Sequence, residues 1–210
     1  MAITSLSRFT VPIPGGQSNP SQGLLMPKLK YRFRVTLGNF GVTKSTTELT
    51  KQVMTVARPN VQFDSQTIDV YNSKIFYAGK HTWQPISMTV RDDINGEVAR
   101  LVGEQVQKQF DMLEQVSAYS GSDYKFVTKI EILDGGNGNV NEPNILEVFE
   151  LYGCFLTDVN YNELTYDESA PVDITMAIQY DNAVQYGKDG AQPVTFGSVI
   201  ARGVRSSLTG

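Results

Sequence analysis

The feature that most limits what this chain can fold into is alternation. Leu29, Tyr31, Phe33, Val35 and Leu37 share one parity, and Lys28, Lys30, Arg32, Arg34 and Thr36 fill the gaps. Near the other end, Val172, Ile174, Met176, Ile178 and Tyr180 alternate with Asp173, Thr175, Ala177, Gln179 and Asp181. A helix would scatter either set around its axis, whereas a pleated strand gathers it on one face. Both runs therefore predict strands with one buried face. Ile86, Met88 and Val90 predict a third. Residues 124–133 predict another, with Phe126, Ile130 and Ile132 as its core. A strand is expected within 48–57, and two more at 145–153 and 154–160, separated by a bend at Gly153.

Helical spacing appears at 96–118. Val98, Leu101, Val102, Val106, Phe110, Leu113 and Val116 form one apolar stripe, with Asn95 placed to cap it and Glu97 in its first turn. Strands, one helix and then strands describe a mainly β fold: an antiparallel barrel or sandwich with one flanking α-helix. Residues 1–27, with Pro12, Pro14, Pro20 and Pro27 among glycines, read as an N-terminal arm. The body spans 28–183, and 184–210 read as a C-terminal extension with a short strand expected near 194–200.

Gln66–Tyr71 and Lys74–Ala78 flank Asn72-Ser73 and predict a hairpin. Its apolar residues Ile68, Val70, Tyr71, Ile75, Phe76 and Tyr77 are expected on both faces. A lone hairpin is marginal in water, so this one is expected to pack on something else, with another subunit as one candidate.

Little in the sequence suggests catalysis. With Cys154 and His81 as the only residues of their types, neither an internal disulfide nor a thiolate zinc site can be built. Phosphate-binding, dinucleotide, zincin and nucleophile-elbow strings are absent. Asp134–Asn139 is a turn, too short for a calcium loop. The expectation is no enzyme, no cofactor and no metal, with His81 and Trp83 as packing residues. MAITSLSRF lacks a run of signal-peptide length, and no window approaches about 18 apolar residues, so no membrane anchor is expected.

Charge is segregated along the chain. Residues 28–58 hold seven Lys and Arg against Glu48, whereas 131–181 hold eleven acids and no Lys or Arg. Basic and acidic strands could pair within a subunit, pair between subunits, or leave an acidic surface that repels nucleic acid.

KYRFRVTL (30–37), VARPNVQFDSQTIDVYNSKIFYAG (56–79), PISMTVRDDINGEVARLVGEQV (85–106), KIEILDGGNGNV (129–140), FELYGCFLTDVNYNELTYDES (149–169) and VDITMAIQYDNA (172–183) come in an order and spacing that resembles the tail tube proteins of contractile-tailed bacteriophages. The resemblance covers about three quarters of the chain. It implies six-membered rings that stack into a tube inside a contractile sheath, with baseplate and tail terminator proteins as further partners. DNA passes down the lumen without specific binding during genome ejection. The location it implies is the virion tail, assembled in the host cytoplasm. It makes the hairpin an inter-ring stacking element, carried by Phe63, Ile68, Val70, Tyr71, Ile75, Phe76 and Tyr77. It makes Glu147, Glu150, Asp173, Thr175, Gln179 and Asp181 candidates to face the lumen, and Arg100, Glu104, Lys108 and Asp111 candidates to face the sheath. Two other readings stay open: the tube of a contractile injection system that carries protein effectors, and a monomeric β-sandwich binding module.

Overall fold

Strand β1 (Phe33–Gly38) begins at Phe33, not at Lys28, although the alternation runs through both. Its partner strand ends at Leu133, one position past the residue opposite Phe33, so among the described residues almost no ladder remains for the residues before it. The computed structural model describes residues 27–42, 46–135, 143–167 and 169–187. The chain divides into two units, Met1–Arg32 and Phe33–Gly210. In the first, Arg32 N–H donates to Leu29 O at 3.3 Å to close a turn, and the Arg32 guanidinium lies 5.5 Å from the centre of the Tyr31 ring. The rest of the expected arm lies outside the described residues.

The second unit runs β1 (Phe33–Gly38), α1 (Thr47–Gln52), β2 (Val53–Val56), β3 (Asn60–Val70), β4 (Ser73–Gln84), β5 (Ile86–Arg91), α2 (Glu97–Gln109), β6 (Phe110–Asp111), β7 (Val116–Ser117), α3 (Gly121–Tyr124), β8 (Phe126–Leu133), β9 (Ile145–Asn160), β10 (Asp173–Gln179) and β11 (Asn182–Tyr186). The segment expected as a strand at 48–57 is thus half helix. The two strands expected on either side of Gly153 are one continuous strand, β9. β11 is a strand the sequence did not announce, and it crosses the boundary drawn at residue 183. The short strand expected near 194–200 falls outside the described residues.

All strand pairs are antiparallel. β9 organises them by serving two layers. Its first half pairs with β8 on one side and β11 on the other, and β1 extends that layer beyond β8. Its second half pairs with β10, which continues to β5 and β2. The inward parity of each layer is apolar and buried: Val35, Leu37, Phe126, Ile130 and Leu151 in the first, Ile86, Met88, Val90, Ile174, Met176 and Ile178 in the second. Val98, Leu101 and Val102 of α2 complete the same core. Gln105, fully buried among them, is satisfied: its amide donates to Tyr124 O at 2.8 Å and its carbonyl accepts from Gly41 N–H at 2.9 Å.

α2 departs from the expected helix at both ends. Its N-cap position is Gly96, at φ 67°, and the capping acceptors are Asp92 and Asp93 rather than Asn95. Asp93 Oδ1 accepts from Glu97 N–H and Val98 N–H, and Asp92 Oδ1 from Ala99 N–H. The helix stops at Gln109. Phe110 is extended at φ −152°, and the Asp111 carboxylate takes the Leu113 and Glu114 N–H groups into a turn that returns through β7. Leu113 and Val116, expected in the apolar stripe, are exposed.

The bend in β9 rests on Gly153. It sits at φ 68°, and a Cβ there would collide with the Asp181 carboxylate. Gly153→Ala is expected to lower stability by about 1–3 kcal/mol through backbone strain. A fall in the urea midpoint with an unchanged slope checks it, and an unchanged midpoint contradicts it.

Candidate assembly surfaces

Among the described residues β3 and β4 pair only with each other, and their side chains are exposed along most of their length. Pro59 and Pro85 flank the pair, where a missing N–H ends strand pairing at no cost. The base is anchored. The rings of Phe63 and His81, then His81 and Trp83, lie 6.0 Å apart, and Trp83 is 5.5 Å from buried Tyr180. Gln179 adds a hydrogen bond to Trp83 O at 3.2 Å. Trp83 is half-buried in this row of rings, whereas His81 takes part in it while remaining exposed. The hairpin is longer than the sequence suggested, and its register shifts between Phe63 and Ser65. There β4 carries one extra residue, and Gly79 eases the close approach: a Cβ would stand 3.1 Å from Asp64 O.

The register sorts the apolar residues by face. Ile68 faces Ile75, Gln66 faces Tyr77 and Val70 faces Ser73, so Ile68, Val70, Ile75 and Tyr77 share one face near the tip. Phe76 opposes Thr67 on the other, beside the Asp69–Lys74 ion pair at 3.4 Å. The expected two-faced spread is therefore unequal. Tyr71, fully exposed at the turn, holds φ 44°, a region costly for a bulky side chain.

The second layer presents a different outward face. Thr55, Ser87, Thr89, Arg91, Asp158, Asn160, Asp173, Thr175 and Ala177 take the outward parity in register across β2, β5, β10 and β9. Thr89 and Thr175 hydroxyls meet at 3.5 Å. These side chains are mostly short and polar.

The outward face of the first layer is charged and partly buried. Glu131, 3% exposed, is clamped by Arg34 Nε at 2.5 Å and Lys129 Nζ at 3.0 Å. Burial alone would raise its pKa, but hydrogen bonds and charge from Arg34 and Lys129 outweigh that and hold the carboxyl below its ordinary value. Basic β1 and acidic β8 thus pair within the subunit. Beyond them, Tyr152 OH donates to Glu150 at 2.6 Å and meets Tyr186 OH at 3.2 Å, and these partners push the Tyr152 pKa up.

The six residues grouped as lumen candidates do not form one surface. Asp173 and Thr175 lie on the small polar face. Gln179 continues its parity but is spent at the hairpin base. Glu150 faces outward from the other layer, and Glu147 takes the opposite parity on the same strand, buried and bonded to Gln185. Asp181 stands at the bend, 2.6 Å from Lys125 Nζ. Register, not composition, separates them.

The helix residues grouped as sheath-facing are mostly engaged within the subunit. Glu104 accepts from Arg100 at 3.1 Å and from Val42 N–H at 3.0 Å, and Lys108 donates to Asn39 O and Gly41 O. Asp111 lies past the helix end. Two exposed apolar groups were missed from sequence: the loop 161–172, with Tyr161, Leu164 and Tyr166, and Ile94. The signal for the loop was visible in bulky residues set among acids, without the alternation of a strand.

No protein-family model matches the chain, and no curated protein matches it in sequence. Solved structures share its fold. A chain from the anti-feeding prophage cap, a tube-terminating cap, aligns with a TM-score of 0.57 at 11% identity, covering 79% of this chain and 94% of that one. A chain from the PVC sheath/tube terminator of an extracellular contractile injection system aligns at 0.56 and 12% identity, covering 79% and 100%. One from the PVC sheath–tube complex in the extended state aligns at 0.54 and 12%, covering 81% and 98%. The mainly β, antiparallel tube-type fold expected from sequence is the fold found.

The Arg34–Glu131–Lys129 cluster gives a pH signature. A depressed folded-state pKa adds stability above the ordinary carboxyl value of 4.5 and loses it as pH falls through the lower folded value. Glu131→Gln is expected to cost about 1–3 kcal/mol at pH 7, from lost hydrogen bonds to charged donors. The gap to the parent protein should close below pH 4.5. Denaturant curves across pH 3–7 check this; a gap independent of pH would contradict it.

Proposed function

We propose that this chain is the tube subunit of a contractile, tail-like assembly, and that the assembly is a bacteriophage tail whose tube conducts the genome into the host. Copies close into six-membered rings, and the rings stack within a sheath between a baseplate and a terminator. The observation that carries this reading is the hairpin Asn60–Gln84. It is anchored at its base, exposed on both faces and apolar near its tip. A soluble monomer gains nothing from such an element, whereas a stacked assembly covers it. The fold shared with chains of contractile injection systems supports the same assignment.

The outward face of β2, β5, β10 and the second half of β9 is the proposed bore wall. Short polar side chains keep it wetted without offering a large apolar patch for cargo to adhere to. Its charges are Arg91 against Asp158 and Asp173, a balance that disfavours phosphate binding. The outward face of the first layer, with its buried Glu131 and Val148, suits a covered surface. A wall that repels phosphate favours DNA as cargo over the protein effectors of a secretion tube.

Electron microscopy of the concentrated protein is expected to show hollow tubes. Deleting 62–76 should leave a folded subunit and rings but no long tubes. Single particles at every concentration, with or without baseplate, would overturn the assignment. Tubes of Asp158→Lys/Asp173→Lys subunits should retain DNA at about 50 mM salt and release it near 200 mM, since phosphate contacts weaken steeply over that range. Parent tubes should not retain it, and equal retention by both would remove this face from the bore.

A further inference from the structure

The hairpin leaves the second layer at a defined end. β4 enters β5 through Pro85, and Ile86 sits opposite Ile178. The loop 161–172 joins β9 to β10 at the other end of that layer, where Asp173 sits opposite Arg91 and Thr175 opposite Asn160. The turn leading to α2 is at that same far end, since Asp92 N–H donates to Val172 O at 2.9 Å. Asn162, at φ 53°, ties the loop back by donating to Asp173 O at 3.2 Å.

That far end is apolar where solvent meets it. Leu164 is 81% exposed, and Tyr166 and Ile94 are fully exposed. It is also acidic, with Glu163 and Asp167 and no Lys or Arg between 161 and 172. The hairpin offers an apolar face to match: Ile68, Val70, Ile75 and Tyr77 lie together near its tip, while Lys74 is paired with Asp69 on the opposite face, so neither charge of that pair crowds the apolar face. The eleven residues of β3, at about 3.4 Å each, give it a reach of about 37 Å, against about 24 Å for the seven residues of β10.

We propose that the loop residues 161–167, with Ile94 at the same end of the layer, are the seat for the hairpin tip of a second copy of this chain. The proposal rests on the tube reading above and names the receiving surface that reading lacks. Two unlike patches at opposite ends of one layer form a heterologous contact, which repeats without limit along an axis. Hairpin against hairpin would use one patch twice and close a dimer. The strained Tyr71 at the tip fits a turn shaped for contact rather than for local ease.

The single natural cysteine, Cys154, is buried, so engineered pairs can be read against a low background. Ile75→Cys combined with Leu164→Cys, oxidised at tube-forming concentration, should give a ladder of trimers and higher multimers on a non-reducing gel. Each single variant should give no more than dimers. In parallel, Leu164→Glu with Tyr166→Ala, both at exposed positions, should leave rings of unchanged diameter and shorten tubes at least tenfold. Long parent tubes with no ladder, or normal tubes from the Leu164/Tyr166 variant, would overturn the seat and leave the tube reading standing. Predominant cross-linking through Ile75→Cys alone would also overturn it, as head-to-head pairing. A parent protein that never forms rings or tubes would remove the tube reading, and the seat with it.

Discussion

Everything else in the second unit depends on one strand belonging to two layers. β9 runs without a break from Ile145 to Asn160, pairing with β8 and β11 before the bend and with β10 after it. If two separate strands did this work, the layers could slide or splay, because only side-chain packing would fix their angle. A covalent backbone through Gly153 makes the angle a property of the chain. The core can then be filled from both sides at once, and Leu151 and Leu156, either side of the bend, lie in the same buried cluster. Each buried Leu, Ile or Met contributes about 1.5–3 kcal/mol of transfer free energy, so the geometry of the bend governs most of the stability of the domain.

The two layers then divide the surface by chemistry. On the first, charge is consumed internally: β1 brings Arg34 and β8 brings Lys129 to one buried carboxylate. On the second, threonine, serine and alanine leave nothing long enough to form such clamps except Arg91 and the acids. Edges are handled separately. The Gln109 amide donates to Leu156 O at 3.0 Å and accepts from Leu156 N–H at 2.8 Å, so a side chain occupies the place of a neighbouring strand at that point of β9. A blocked edge there keeps chance copies from adding to the sheet, which matters in a protein that carries exposed apolar residues elsewhere.

Much of this was legible in the sequence, and the failures have physical causes. β5, β8 and β10 were readable because one face is buried and one is not, so alternation records the environment. Lys28–Arg32 shows the limit of that signal, since alternation persists there although those residues form no strand. The helix read too long because Phe110, Leu113 and Val116 keep helical spacing, while the chain leaves the helix to place Gln109 against β9. That contact is forty-seven residues distant in sequence and invisible to any local pattern. The lumen candidates combine acids of the C-terminal half with the polar neighbours Thr175 and Gln179, without a register to sort them. Glu147 and Glu150 differ by three positions on a strand, and period 2 alone puts them on opposite faces. β11 was missed because Asn182–Tyr186 is short and borders a glycine-rich tail.

The hairpin brings these themes together, because a single irregularity divides it into two halves with different partners. Below the shift at Asp64, the apolar parity on β3 is Val61 and Phe63, continued on β4 by Trp83, and that face packs toward Tyr180 in its own subunit. Above it, the same parity turns polar at Ser65, Thr67 and Asp69, and apolar weight moves to Ile68 and Val70. A regular hairpin with one apolar face would fold down onto its own sheet and bury its tip. The exchange of faces works against that, since on the inward side the outer half carries Ser65, Thr67, Asp69 and Lys74, with Phe76 as the one large apolar residue there. The tip therefore stays exposed while the base is held by aromatic packing. An isolated pair of strands is marginal in water, so the ring stack from Phe63 through His81 and Trp83 to Tyr180 is what ties this pair to the core beneath it.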